Sequence, residues 1–534
     1  MAEASHTGLK QDAAEFVRFV AERSVAPAPD DSPRIQTEEL SSSIARLYEQ
    51  LRNTVDNTDQ HLLRRNAIHR FLRRQVLVYR TSPSRLGELL VRDLVRTGYV
   101  PNGTFPERDV PRIDAIIAKY RRLSDELQGR LPESPRSIAN WVLGLASVEI
   151  EQAIYDPSRE EALIRYAFDV LKPRIVWEDA AFDPEDRDLQ LYAALHRATF
   201  KSDARLIEYH LLTSYYPGWR ETTEADAHNL AHHILGYRDV VRNHLAHPNG
   251  PRLAQQVRRM VIPYQALLDV VKEHPTDALE RLDDEKTFIA DVRGVVDGYY
   301  AKNRTGTRRS TVRSIMFIFI TKMLLALALE VPYDFWVLGS LSYVPLIINV
   351  TFHPLLLLVL GTTARFPDKE NTKRILSDLW TSIRADRTPS VYHVRLLSRR
   401  SEAAKVLLGV VYVLTFAVTT GALIWLLAWL GFNWLDGTLF LLFLSLVTFV
   451  GIRLRTRAGE YFMVQRRVGL LGSLFLFFAN PLLEVGYWFS VNVRRYNLFL
   501  FIFDIVLEAP FKALTYAIEE WFGFARERSE RITG

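Results

Sequence analysis

Apolar residues recur at helical spacing through the first half of the chain. Leu47-Tyr48-Leu51, Leu62-Leu63-Ile68-Phe71-Leu72 and Ile113-Ile117-Tyr120-Leu123 each line one face of a helix. Turn-forming residues punctuate these runs at Pro101-Asn102-Gly103, Pro132-Glu133-Ser134-Pro135, Pro217-Gly218 and His247-Pro248-Asn249-Gly250-Pro251. Strand-type alternation is scarce. Residues 36–305 therefore predict an all-helical domain of about nine or ten helices with no fixed repeat period. Residues 1–35 predict one short helix followed by a flexible link at Ala26-Pro27-Ala28-Pro29-Asp30-Asp31.

Beyond Arg304, Arg308, Arg309 and Arg313 the pattern changes from striped to uniformly apolar. Residues 314–331 carry only Lys322 and Glu330 as charges, and 335–362 carry none. Residues 406–450 hold only Asp436, which sits with Asn433 and Gly437 where a hairpin would turn. Residues 468–490 hold only Glu484, and 497–510 only Asp504 and Glu508. About 20 apolar residues span a bilayer as a helix. The expected architecture is all-α: a large helical cytosolic domain at 36–305, then a transmembrane domain at 306–534. Its four to six spans fall near 314–331, 338–362, 406–431, 437–453, 468–489 and 497–518. Asn480-Pro481 interrupts the fifth stretch and raises a re-entrant hairpin there.

Basic residues set the orientation. The loop at 364–405 is rich in lysine and arginine, and Arg453, Arg455, Arg457, Arg466 and Arg467 form a second basic connection. The alternate connections at 332–334 and 433–437 carry none. The basic loops thus share a side with the N-terminal domain, which places that domain in the cytosol of a bacterial cytoplasmic (inner) membrane. The first 30 residues lack the apolar core of a signal peptide. One exception is Arg494-Arg495, which would face outside if both last stretches cross.

Composition adds little, because it averages two unlike halves. The 534 residues are 48% hydrophobic and 24% charged, and the mean hydropathy of −0.03 reads as an ordinary soluble protein. A net charge of +5 does not support a nucleic-acid surface. The absence of cysteine removes disulfides, thiolate nucleophiles and Cys-ligated metals. No phosphate-binding loop, dinucleotide fingerprint, nucleophile elbow or H-E-x-x-H zinc motif occurs.

Two sets of residues carry candidate chemistry. The first is an intramembrane charge network of Lys322, Glu484, Asp504, Glu508 and Lys512. The last three are spaced i, i+4, i+8 on one helical face, and a bridge from Lys322 to Asp504 or Glu508 would neutralise both partners. Such a bridge serves either a path for a charged species or static packing of the first helix on the last. His353 precedes Pro354 and is expected to bond a neighbouring backbone carbonyl. The second set is a histidine cluster, His228, His232 and His233, followed by His244 and His247. The i, i+4 pair could ligate a metal, the one cofactor the sequence raises. Solvated helix face is the competing reading.

Four strings resemble a family of uncharacterised polytopic membrane proteins of candidate-phylum bacteria: HLLRRNAIHRFLRRQ (61–75), LQLYAALHRATFKSD (189–203), TKMLLALALEVPYD (321–334) and FDIVLEAPFKAL (503–514). The resemblance implies the same architecture from about residue 40 onward and no mechanism. Three functions remain open. The first is a transport or channel component using the intramembrane charges. The second is a non-enzymatic scaffold whose helical domain recruits protein partners, and homo-oligomerisation fits either. The third is a metal-dependent membrane oxidoreductase built on the histidines.

Overall fold

Lone apolar stripes need partners, and the chain supplies them by packing helix on helix. The computed structural model describes residues 8–25, 32–36, 60–78, 85–131, 133–340, 343–396, 401–464 and 469–496. In chain order the first helices are α1 (Gln11–Glu22), α2 (Gln60–Leu72), α3 (Leu86–Arg96), α4 (Val110–Leu127), α5 (Pro135–Ile154) and α6 (Ser158–Leu171). There follow α7 (Arg187–Thr199), α8 (Ala204–Tyr215), α9 (Ala227–Leu245), α10 (Gly250–Glu273) and α11 (Ala278–Asp283). Helix α12 then runs without a break over Glu285–Leu338. The rest are α13 (Tyr343–Thr362), α14 (Lys369–Ile383), α15 (Glu402–Trp429), α16 (Trp434–Ala458) and α17 (Leu470–Tyr496). Among the described residues the only sheet is a parallel pair of three-residue strands, β1 (Ile175–Trp177) and β2 (Tyr392–Val394).

Local chemistry starts and stops these helices where the turn residues lie. Ser134 caps α5 by accepting from the Ser137 amide, with Pro135 at the first helical position, where its missing N–H costs nothing. Asp203 caps α8 by accepting from the Leu206 amide at 3.1 Å. Gly98, at φ +79°, turns the chain after α3.

The chain divides into two compact units: Met1–Asp297 with Asp368–Arg399, and Gly298–Pro367 with Arg400–Gly534. In the first, the apolar faces of α2 to α5, α8 and α9 close on one core that includes Leu72, Leu90, Tyr120, Val142, Tyr209 and Trp219. Helix α1 joins this unit by burying Phe16, Val17 and Val20. The segment read from sequence as a loop at 364–405 contributes α14 and β2 here. Ile375, Leu379 and Ile383 bury one face of α14, and β2 pairs with β1 in register Ile175↔Tyr392 to Trp177↔Val394. The anchor is Arg174, buried and bonded to Asp378 and Tyr264 at 2.5 Å and to Ser382 at 2.8 Å. A buried guanidinium needs that many acceptors to offset its lost water. The Ala26–Asp31 link lies outside the described residues.

The second unit holds four helices long and apolar enough to cross a membrane: α12, α13, α15 and α16. Their inward contacts include Ile318, Leu357, Phe443 and Val447. Their outward faces are large apolar side chains such as Ile320, Leu355, Val413 and Trp425, the surface a lipid solvent accepts and water does not. Small residues permit close approach: a Cβ on Gly361 would meet Thr311 at 2.4 Å, and one on Gly451 would meet Leu360 at 2.4 Å. Asn303 donates to the Ala458 carbonyl at 3.0 Å, satisfying one of the open acceptors at the end of α16.

Two expectations about these helices are corrected. The connection expected at 332–334 is helical. Residues Ala326–Glu330 and Asp334–Leu338 take π geometry, and the wider turns carry the chain past Pro332, which lacks an N–H and would crowd a regular α-turn. The chain reverses after Gly339 instead, at φ +71°. The break expected at Asn480-Pro481 is also absent, since α17 continues through Pro481 for 27 residues, about 40 Å. The turn expected around Asn433 is real but short: Gly431 at φ +82° ends α15, and Asn433 caps α16 by accepting from the Asp436 amide at 2.9 Å.

Candidate functional site

Helix α12 places Lys322, Glu330 and Asp334 on a buried stripe with Ile318 and Ala326, one residue every four. At 3.6 residues per turn such a stripe drifts around the helix by about 40° per step. The two π stretches underwind the helix at that point and keep Glu330 and Asp334 facing inward. Lys322 is fully buried. Its ammonium donates to Asn349 Oδ1 on α13 and sits 4.5 Å from the centre of the Phe443 ring on α16. Asn349 passes the contact on, its Nδ2 donating to Glu330 Oε1 at 2.5 Å. The Lys322 ammonium and the Glu330 carboxylate thus share one amide rather than touching.

A second layer begins one helical turn further on. Asn433 Nδ2 donates to both Asp334 Oδ1, at 2.9 Å, and Asp436 Oδ2, at 2.8 Å. Both aspartates are buried, at 4% and 2% exposure. Trp434 Nε1 donates to the Tyr333 hydroxyl at 2.5 Å beside them. His353 lies one turn beyond Asn349, with Nδ1 3.1 Å from the Asn349 carbonyl oxygen and Nε2 3.1 Å from that of Phe440. The expected backbone contact is therefore present, and doubled. Among the described residues, Glu330 Oε2 and Asp436 Oδ1 have no hydrogen-bond partner although both are buried.

Of the expected network, Lys322 stands at the centre. Asp504, Glu508 and Lys512, and with them any bridge to Lys322, lie outside the described residues. Glu484 sits apart on α17 and accepts from the Tyr412 hydroxyl of α15 at 2.7 Å. Sequence reasoning missed Glu330, Asp334, Asn349 and Asp436 as members of one cluster. The signal that could have found two of them is the four-residue spacing from Lys322 through Ala326 to Glu330 and Asp334.

The histidine cluster does not assemble. His228 is 69% exposed and contacts Glu126 Oε2 at 3.1 Å, which holds that carboxyl below its usual range. His232 and His233 are exposed, and His233 lies against the Tyr216 ring. His244 lies 3.8 Å from Asp186, and His247 packs on Phe182. Among the described residues no group of three His, Asp or Glu is placed to hold a metal.

A different histidine pair is buried in the first unit. His196 of α7 and His210 of α8 lie 4.6 Å apart between ring centres, and Tyr192 meets His196 edge-on at 4.7 Å. Burial alone pushes the His196 pKa down to about 3, and burial with neighbouring His196 and Arg220 also lowers His210. In the same unit, Lys119 bonds Glu149 at 2.6 Å and the Trp219 carbonyl at 3.1 Å, while Tyr120 donates to Glu149 at 2.7 Å. That network is closed on itself and fits a structural role. No protein-family model matches the chain, and neither a curated protein nor a solved structure is significantly similar to it.

Proposed function

We propose that this is an integral membrane transport component in which the Lys322–Asn349–Glu330 relay, with Asp334, Asn433 and Asp436, forms the polar step of a path for a small cation. The observation that supports this reading is the imbalance of the network. Among the described residues, three buried carboxylates lie with one ammonium inside a bundle of apolar helices, and two carboxylate oxygens have no hydrogen-bond donor. A charge at the centre of a membrane helix costs about 2.5–3.5 kcal/mol, and static packing would be met more cheaply by a matched pair or by none. π-helical turns are also frequent at functional sites, and both of those in α12 end or begin on an acid of the network. The arginine-rich connections favour a bacterial cytoplasmic membrane with residues 1–297 in the cytosol.

The test is flux. Purified protein in sealed liposomes is given a gradient of protons, sodium or potassium in turn, with the interior followed by ion-sensitive dyes. Flux of one cation above that of empty liposomes is expected. Glu330→Gln and Lys322→Met each leave one buried partner uncompensated and lower the rate by roughly a hundredfold. Monodisperse wild-type protein that moves none of the three cations would overturn the reading and leave the recruiting scaffold in its place.

A further inference from the structure

The carboxylates of Asp334 and Asp436 are donated to by one amide nitrogen, so they are close neighbours, and both are shut off from water. Two like charges held that near in an apolar surround do not both persist, and one of the pair takes up a proton. Asp436 Oδ1, which has no hydrogen-bond partner among the described residues, can carry it, and Glu330 adds a third acid within electrostatic reach. His353 has the complementary fitting. Both its ring nitrogens face backbone carbonyls at 3.1 Å, and carbonyls only accept. A neutral imidazole has one N–H to give and an imidazolium has two. One of the two contacts is therefore satisfied only when the ring holds a second proton. Among the described residues the charged group that acts on His353 is Lys322, which opposes a positive ring, and the two carbonyls are what favour it.

Resting on the network as a polar step, we propose that its ligand is a proton, held on the Asp334–Asp436 pair with His353 as a second station. The proton comes from bulk water and adds one positive charge to a cluster that, among the described residues, has more acids than bases. A metal cation fits the donor set poorly. Asn349 Oδ1 already accepts from Lys322, and Asn433 Oδ1 from the Asp436 amide. Among the described residues the buried carboxylate oxygens without a hydrogen-bond donor are Glu330 Oε2 and Asp436 Oδ1, far short of the six or so oxygens a hard cation gathers.

The full-length protein in lipid nanodiscs provides the test. Infrared difference spectra recorded across a pH series should show a protonated-carboxyl C=O band that is lost as pH rises. In Asp334→Asn or Asp436→Asn the pair is broken and only Glu330 remains within reach of the surviving carboxylate, so the band should weaken and be lost at lower pH than in the wild type. The wild-type protein labelled with 15N-histidine needs no acid variant. Its His353 resonance, assigned by its absence in His353→Gln, should pass between neutral and imidazolium shifts over the same pH series. A band indifferent to both Asn variants, no titrating band, a His353 resonance neutral throughout, or displacement of the band by sodium at constant ionic strength would each overturn the proposal. Band and flux fail separately. A titrating band without flux keeps the proton site and sinks transport; sodium or potassium flux without the band does the reverse.

Discussion

An imidazole loses most of its ability to hold a charge once it is packed between other rings. His196 is 2% exposed, and among the described residues neither of its nitrogens has a hydrogen-bond partner. Its folded-state pKa of about 3 lies below the unfolded value of 6.5. Above pH 6.5 both states are neutral at this residue and it contributes nothing to pH dependence. As pH falls below 6.5 the unfolded chain takes up the proton first, so stability drops by about 1.4 kcal/mol per pH unit until the folded state also titrates near pH 3. His210, lowered as well, adds to the slope. Chemical denaturation of the full chain in mild detergent between pH 7.5 and 5 should show this loss, and His196→Phe should remove about half of it. An unchanged slope in that variant would mean that His196 is not buried neutral. Nothing in the sequence marks His196 off from the exposed histidines of 228–247, because a histidine on a helix carries no record of which face packs. Lys322 was legible for the opposite reason: a lone ammonium in an apolar run has few explanations. Asp436 read as part of a turn, since small polar residues are common there, and Asn349 carries no charge to mark it out in an apolar run.

Helix α12 shows what periodicity conveys and what it loses. Its buried stripe at Ile318, Lys322, Ala326, Glu330 and Asp334 recurs every four residues, which a regular α-helix cannot keep on one face. The π stretches restore the facing, and with them the helix passes Pro332, where residue statistics predict a stop. The same holds for α17 at Pro481, where packing against α16 outweighs the local preference. Gly486 shows how tight that packing is: a Cβ there would meet the Ser445 carbonyl oxygen at 2.3 Å and Phe449 Cβ at 2.8 Å. Backbone cannot retreat as a side chain can. Gly486→Ala should therefore destabilise the α16–α17 pair by about 1–3 kcal/mol, an overpacking cost. Gly409→Ala on α15 meets nothing within 4 Å and should be neutral or stabilising by up to about 1 kcal/mol. Thermal unfolding of both variants in detergent decides the matter. Equal stability of the two would mean that α17 does not lie against α16.

At the scale of the whole molecule the chain leaves its first unit, returns and leaves again. The apolar switch after Arg304 was legible because the solvent of the side chains changes there. The return of Asp368–Arg399 was not, since the partners that draw it back, Arg174 and β1, lie some 200 residues earlier in the sequence. That return has a topological consequence. Residues 1–297 and 368–399 fold as one unit, so any crossings of a bilayer by the stretch between them are expected to be even in number. Helices α12 and α13 are the two candidate spans in that stretch, and the basic residues of 364–405 agree with an even count. The chain has no cysteine, so single cysteines can report the sidedness of the native protein directly. Arg122→Cys on α4 and Arg387→Cys after α14 change exposed side chains in the two parts of the first unit. Ser340→Cys, also exposed, marks the reversal between α12 and α13. In sealed vesicles an impermeant maleimide should reach the first two from one side and Ser340→Cys only from the other. Labelling of Arg122→Cys and Arg387→Cys from opposite sides would require an odd number of crossings and break the first unit apart. Labelling of all three from one side would leave α12 and α13 lying on the membrane, and the buried acids of α12 would then have no path to serve.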